Sequence, residues 1–139
     1  PAGRLAALRE VRRVLAPDGV FVFSSHTLQR PRLRIGRLHW SRPVYSLRVV
    51  LGAIRNRLMF RLVNGPQDFA ALEARGHAVF LEAHHFALAQ YYVTPAACIR
   101  DVEGAGMTVT EVVAMDGRSL GAPYRTDDPW LFYWCRRAT

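Results

Sequence analysis

A histidine beside two serines follows the most apolar run of the sequence. Residues 20–24 (Val-Phe-Val-Phe-Ser) predict a strand covered on both faces, and Ser25 and His26 come directly after it. Ligands of open α/β sheets bind outside the carboxyl ends of the strands. Because imidazole titrates near neutral pH, His26 is a candidate general base toward a hydroxyl or an amine, with Ser25 as a candidate substrate contact. The alternative is a loop histidine that hydrogen-bonds locally.

A second group of polar aromatic side chains precedes a predicted helix start. It comprises His84, His85, Tyr91 and Tyr92. The two histidines do not predict a metal site, because no further ligands have suitable spacing and adjacent side chains point in different directions. We expect no metal here. His85, Tyr91 and Tyr92 are candidate substrate contacts, and core packing is the alternative for each.

The elements that would position His26 can be read from local patterns. Apolar residues at helical spacing predict a helix over residues 4–16. Pro17-Asp18-Gly19 ends it and turns the chain into the strand at residues 20–24. A helix, a tight turn and a buried strand make half of a βαβ unit, which predicts an α/β fold.

The C-terminal part of the chain predicts a helix and two strands. Thr94 as N-cap and Pro95 at the first helical position begin a helix that ends at Gly104 or Gly106. Residues 107–115 and 129–136 favour strands, and the second is so rich in aromatics that we expect it in the core. Since only a loop joins these strands, they can pair only as an antiparallel hairpin.

The positive charge is concentrated in one segment. Nine of the 19 basic residues, all arginine, lie between Gln29 and Val63, where no Asp or Glu occurs. A helix over residues 45–63 would place five aliphatic side chains on one face with arginines along both flanks. These five are Leu47, Leu51, Ile54, Leu58 and Leu62.

Three interpretations of this basic segment stay open. It can attract an anionic substrate or nucleic acid, it can lie on a membrane as a basic amphipathic helix, or it can be a lid helix whose apolar face packs on the domain. We favour the lid. Nucleic acid has less support, because only His39, Trp40, Tyr45 and Phe60 place aromatics among the arginines.

Composition indicates one globular domain. The 139 residues are half hydrophobic and 22% charged. No apolar run approaches the roughly 18 residues that span a bilayer, and no signal peptide is evident. Cys98 and Cys135 lie in a predicted helix and a predicted strand, so we predict buried thiols and a reducing, cytoplasmic location.

Three stretches in order resemble the class I S-adenosylmethionine-dependent methyltransferases. Residues 8–24 are similar to a family signature in which a helix ending in R-x-L-x-P-G-G leads into the fifth strand, with Asp18 in place of the first Gly. Residues 91–95 and 103–107 are similar to the stretches that begin the last helix and enter the sixth strand. Residues 128–137 resemble the seventh strand, which often ends in a basic residue. Together these stretches cover about half of the chain.

The resemblance implies the C-terminal half of a Rossmann-like three-layer α/β sandwich, with a terminal antiparallel strand pair and a helical insertion. Residues 1–139 would then be a partial methyltransferase domain. Residues 4–25 would be its helix and fifth strand, 26–92 its basic helical insertion or lid, and 93–137 its last helix and final two strands. The chain begins at Pro1 inside a predicted helix and contains no G-x-G-x-G loop for the cofactor. We therefore expect the missing N-terminal half to bind S-adenosylmethionine, and we assign no cofactor-binding residue here.

The implied activity is transfer of a methyl group from S-adenosylmethionine to a small-molecule O or N acceptor, by in-line displacement at the sulfonium carbon. It would belong to the parent protein, and the isolated fragment would be inactive. The open edge of the fifth strand would dock with the missing half or pair with another copy. The alternative is a non-catalytic basic module that contacts nucleic acid or an anionic membrane surface.

Overall fold

The computed structural model describes residues 2–28, 41, 43–82, 86–124 and 126–138. Within these residues the chain forms four helices and five strands. The helices are α1 (Ala2–Val14), α2 (Pro43–Asn64), α3 (Phe69–Arg75) and α4 (Pro95–Gly104). The strands are β1 (Phe21–Thr27), β2 (His77–Glu82), β3 (Leu88–Val93), β4 (Met107–Ala114) and β5 (Trp130–Arg137).

The five strands form one mixed sheet in the order β2-β3-β1-β5-β4. β1 pairs in parallel with β3, whereas β5 is antiparallel to both β1 and β4. The last strand of the chain is therefore inserted between two strands that run parallel to each other. The predicted α/β class and the predicted terminal hairpin are confirmed, whereas β2 and β3 were not predicted. The expectation that the edge of the strand at residues 20–24 stays open is wrong at the carboxyl end of β1, because His26 and Thr27 pair there with β3 while β5 lies on the other side.

The chain divides into two compact units. The first contains residues 1–29, 71–78 and 92–139, and the second contains residues 30–70 and 79–91. The second unit falls within the predicted insertion at residues 26–92, but residues 71–78 of that segment belong to the first unit. Each unit is described separately below.

In the first unit, α1 leads through a tight turn into β1. Leu15 donates its backbone N–H to Val11 in the last bond of the helix, and Gly19 donates to the carbonyl of Ala16 at 3.0 Å to close the turn. β1 then extends through Thr27, so the strand is longer than predicted. As a result, His26 lies within the strand and not in the loop after it.

One face of the first unit's sheet packs against α1 and α4, and the other is open. Side chains of β5 alternate strictly, with Leu131, Tyr133 and Cys135 buried. On the opposite face Trp134 is 42% exposed, and its cross-strand neighbour Val22 is equally exposed. The predictions that β1 is covered on both faces and that the whole aromatic strand is core are therefore wrong, because the described helices of this unit cover one side only.

Helix α4 begins as predicted. Thr94 has extended backbone angles, and its hydroxyl accepts the N–H of Ala97 at 3.3 Å. Gly76 supports this start, since its carbonyl accepts the Thr94 N–H at 2.8 Å while its own N–H donates to Leu72 at the end of α3. A positive φ of 88° at Gly76 allows both bonds.

In the second unit, one side of α2 packs against β2 through aromatic contacts. Phe60 is buried with its ring centroid 5.1 Å from that of Phe80, and Phe69 lies 6.0 Å from Phe80. The side chain of Asn64 accepts from Leu81 N at 2.8 Å and donates to Leu81 O at 3.1 Å, as a neighbouring strand would.

The five aliphatic side chains predicted to share a face of α2 lie on its other side. They are between 50% and 68% exposed. The prediction that this face packs on the domain, as in a lid, stays a prediction.

Candidate functional site

His26 lies near the carboxyl end of β1, where three strands of the first unit meet. It is the register partner of Tyr92 in the parallel strand β3 and of Trp130 in the antiparallel strand β5. The imidazole centroid is 5.3 Å from the Tyr92 ring and 4.6 Å from the Trp130 ring, which meets it edge-on at 75°. The strand pairing thus places a half-buried histidine between two aromatic rings.

The indole N–H of Trp130 is directed at the edge of the His26 imidazole. Its Nε1 lies 2.9 Å from Nε2 and also contacts Nδ1. Indole nitrogen can only donate, so the imidazole nitrogen that receives this bond must be unprotonated. The contact therefore selects the neutral form that a general base requires, and it occupies an acceptor position at the same time. In the neutral imidazole the other ring nitrogen carries the ring proton, so His26 can accept a substrate proton only where the indole N–H is displaced.

Ser25 is not part of this cluster. Successive side chains of a strand point to opposite faces, so Ser25 faces α1 while His26 faces the other way. There the Ser25 hydroxyl accepts a hydrogen bond from Arg4 Nη1 at 3.4 Å. The sequence predicted Ser25 and His26 as neighbouring site residues, and the structure separates them by the thickness of the sheet.

Arg4 organises the covered face of the first unit. Its guanidinium is 5.6 Å from the centre of the Phe23 ring, its Nε is 3.2 Å from an Asp101 carboxylate oxygen, and its Nη2 donates to the Cys98 sulfur at 2.8 Å. The group ties α1 to β1 and α4. These contacts within the fold indicate a structural role.

The two cysteines are buried thiols, as predicted. Burial raises the pKa of Cys98 to about 11, although the nearby Arg4 opposes the shift. Burial also raises the pKa of Cys135 to about 12, with a further contribution from Cys98. Both therefore remain protonated at neutral pH, and neither is a nucleophile.

The remaining predicted contacts have different outcomes. His84 and His85 lie outside the described residues, as do His39 and Trp40. Tyr91 is half-buried in the second unit, whereas Tyr92 belongs to the first unit and contacts His26.

Of the predicted site residues that the structure describes, it therefore brings only His26 and Tyr92 together. Trp130, which sequence reasoning assigned to the core, completes the cluster. Strand alternation within residues 130–137 is the sequence signal that could have separated it from the buried Leu131.

Among the described residues no group of three His, Cys, Asp or Glu side chains is placed to hold a metal ion. The glycines with positive φ in the described ranges are Gly65, Gly76 and Gly106, which follow helices, and Gly117, which lies in the turn after β4. A glycine cradle for a nucleotide-like cofactor lies instead between a strand and a helix N-terminus. We therefore assign no cofactor contact to these residues.

Comparisons with known proteins leave the family open. The chain matches no protein-family model and no curated protein. None of the helices in the described ranges has the length and hydropathy needed to cross a membrane.

Proposed function

We propose that this chain is the C-terminal half of a class I S-adenosylmethionine-dependent methyltransferase, and that the parent protein methylates a small-molecule O or N acceptor. The cofactor would be held by the N-terminal half, because the residues described here offer no cradle for it. The chain described here would supply part of the acceptor site, around His26, Tyr92 and Trp130.

The strand order is the observation that carries this proposal. In the family that the chain resembles, the last strand inserts antiparallel into the sheet, and β5 lies between β1 and β4, antiparallel to both. A simple hairpin would have added β5 at the outer edge of β4. The insertion instead makes β5 pair with a strand more than 100 residues earlier, which local sequence does not require.

The uncovered face of the first unit's sheet agrees with a half-domain. A three-layer sandwich has helices on both faces, and α1 and α4 provide them on one. On the other face Val22, Trp130, Phe132 and Trp134 are each between 36% and 42% exposed. Large apolar side chains clustered on one surface mark an interaction site, and the missing half would cover this one.

The role proposed for His26 is to accept the proton of the acceptor group as it is methylated. Its imidazole is the side chain of the cluster suited to a proton transfer near neutral pH. Tyr92 and Trp130 supply ring surfaces against which an apolar acceptor can pack. The proton would go to the nitrogen that the indole N–H contacts, once the acceptor group displaces the indole.

Thermal unfolding of the intact gene product with S-adenosylmethionine tests the proposal. Saturation at about 100 times the dissociation constant stabilises a protein by about 2.7 kcal/mol, which raises its melting temperature measurably. The expected result is a concentration-dependent rise that other nucleotides do not produce. An intact protein with no such rise, and no methyl transfer to any acceptor tested, contradicts the proposal.

The assignment of His26 has a separate test. His26→Asn should lower kcat by about 10²-fold or more, since a positioned base contributes about 10²–10⁴-fold, and it should leave the cofactor-dependent stabilisation unchanged. Ser24→Ala is the matched control, because Ser24 is exposed on the same face of β1. Equal turnover in His26→Asn and Ser24→Ala would remove the base role without affecting the family proposal.

A further inference from the structure

We propose that α2 docks on the surface of an anionic phospholipid bilayer, with its leucine stripe among the lipid chains and its arginines at the phosphates. The leucine stripe is the set of Leu47, Leu51, Ile54, Leu58 and Leu62. This inference concerns the second unit alone and does not depend on the proposed methyltransferase activity.

α2 has two apolar sides, and the second unit covers only one of them. Phe60 packs on Phe80, and Asn64 bonds to Leu81 on the same side. The leucine stripe faces away from these contacts and is at least 50% exposed at every position. A continuous exposed apolar surface rimmed by polar residues marks an interaction site, so we expect the stripe to have an apolar covering.

The stripe is long and continuous. Its members are spaced by three or four residues, which keeps them on one face over about 22 Å of helix at 1.5 Å per residue. An interfacial helix buries such a face about 5–10 Å into the headgroup region.

Arginines border the stripe on both sides. Arg48 and Arg55 lie on one flank and Arg57 and Arg61 on the other, and the helix contains no acidic residue. Arginine stems can lie along apolar surface while the guanidinium reaches outward to phosphate. The pattern combines an apolar insertion face with cations at its boundary, which suits anionic lipid headgroups.

A cavity beside one flank offers a place for a headgroup. It has a volume of about 620 Å³, and its lining includes Arg57 and Arg61, one turn apart, with the rings of Phe60 and Phe69. Two guanidinium groups in the lining of one cavity can together bind a phosphate.

Charge and side-chain type favour a bilayer over the other coverings. Two copies of the chain packed stripe to stripe would bring their arginines together with no acid on either helix, and like charges repel. Single-stranded nucleic acid binds through aromatic platforms, whereas the stripe is wholly aliphatic. A bilayer surface supplies both the apolar layer and the negative charge.

Vesicle co-sedimentation of the intact gene product tests this proposal. Binding is expected to vesicles of phosphatidylcholine and phosphatidylglycerol in equal amounts, and to be at least about tenfold weaker with phosphatidylcholine alone. Leu51→Gln/Leu58→Gln should weaken binding to the anionic vesicles by about thirtyfold or more. Arg57→Gln/Arg61→Gln should weaken it by about thirtyfold at low salt, with a smaller difference at high salt.

The control variant is Val14→Gln/Met115→Gln, which replaces two exposed apolar side chains outside α2. It should bind the vesicles like the unaltered protein, and circular dichroism should show that every variant keeps its helix content. Equal losses in the control and the leucine variant would overturn the proposal. So would binding to single-stranded RNA with no binding to anionic vesicles, or a dimer dependent on Leu51 with no vesicle binding.

Discussion

Gly76 links three elements of the first unit, and replacing it with alanine should be costly for two separable reasons. The residue ends α3 with a φ of 88°, where an L side chain is strained by about 1–2 kcal/mol. An added Cβ would also lie 2.6 Å from the Cβ of the buried Ala97 in α4. Overpacking of this kind costs about 1–3 kcal/mol. Gly76→Ala should therefore lower the free energy of unfolding by about 2–5 kcal/mol.

Gly117 provides the matched control for the backbone strain. Its φ is 85°, it belongs to the same unit, and an added Cβ would have no neighbour within 4 Å. Gly117→Ala should therefore cost only about 1–2 kcal/mol. The difference between the two variants measures the clash with Ala97.

Urea unfolding followed by circular dichroism gives both values. A double-mutant cycle with Ala97→Gly then tests the cause, since removing the Ala97 methyl should recover about 1–3 kcal/mol of the loss caused by Gly76→Ala. Equal costs for Gly76→Ala and Gly117→Ala, or no coupling with Ala97→Gly, would refute the reasoning. Either result would mean that the backbone at Gly76 moves away from Ala97 at little cost.

Two further predictions concern the second unit's side-chain bridge and the buried thiols. Asn64→Asp should lower the free energy of unfolding by about 1–3 kcal/mol, because it replaces the donor to Leu81 O by a second acceptor. Asn56→Asp is the control, since Asn56 is exposed on the same helix. Equal losses of stability in the two variants would contradict the role of the Asn64 bridge. Stability should also fall between pH 9 and 11, because the pKa of Cys98 is raised from 9.0 to about 11 and that of Cys135 to about 12, so the unfolded thiols lose their protons while the folded ones keep them. The free energy of unfolding should fall by at most about 1.4 kcal/mol per pH unit per thiol. Plotted against pH, this free energy should fall less steeply in Cys98→Ala. A free energy of unfolding that does not change over this pH range in the unaltered protein would refute the assignment.

The two proposals give the exposed apolar surfaces different coverings. The open face of the first unit's sheet has aromatic side chains from β5 with few charges among them, which suits packing against protein. The stripe on α2 is aliphatic and bordered by arginine, which suits lipid. The methylation and vesicle assays can therefore fail independently, because neither surface is invoked for the other function.

Local sequence determined the elements whose ends carry strong backbone preferences. The helix at residues 2–14, the Pro-Asp-Gly turn, the Thr94 cap and the terminal hairpin all depend on interactions within a few residues. Capping, proline geometry and turn formation act at this range. For this reason these parts of the fold could be predicted without knowing what lies beside them.

Only the tertiary structure decided which side chains meet and which remain exposed. β2 and β3 lack a strong local pattern, and β1 pairs with β3 through residues more than 60 positions later. Trp130 reaches His26 because β5 is inserted next to β1, a pairing across more than 100 residues.

The sequence shows that the leucines of α2 share a face, but not whether anything packs on it. Burial depends on the elements that fold against a helix, which its own residues do not specify. His26 was therefore recognisable as a candidate from the strand before it. Its aromatic neighbours, its separation from Ser25 and the exposure of the stripe depended on long-range packing.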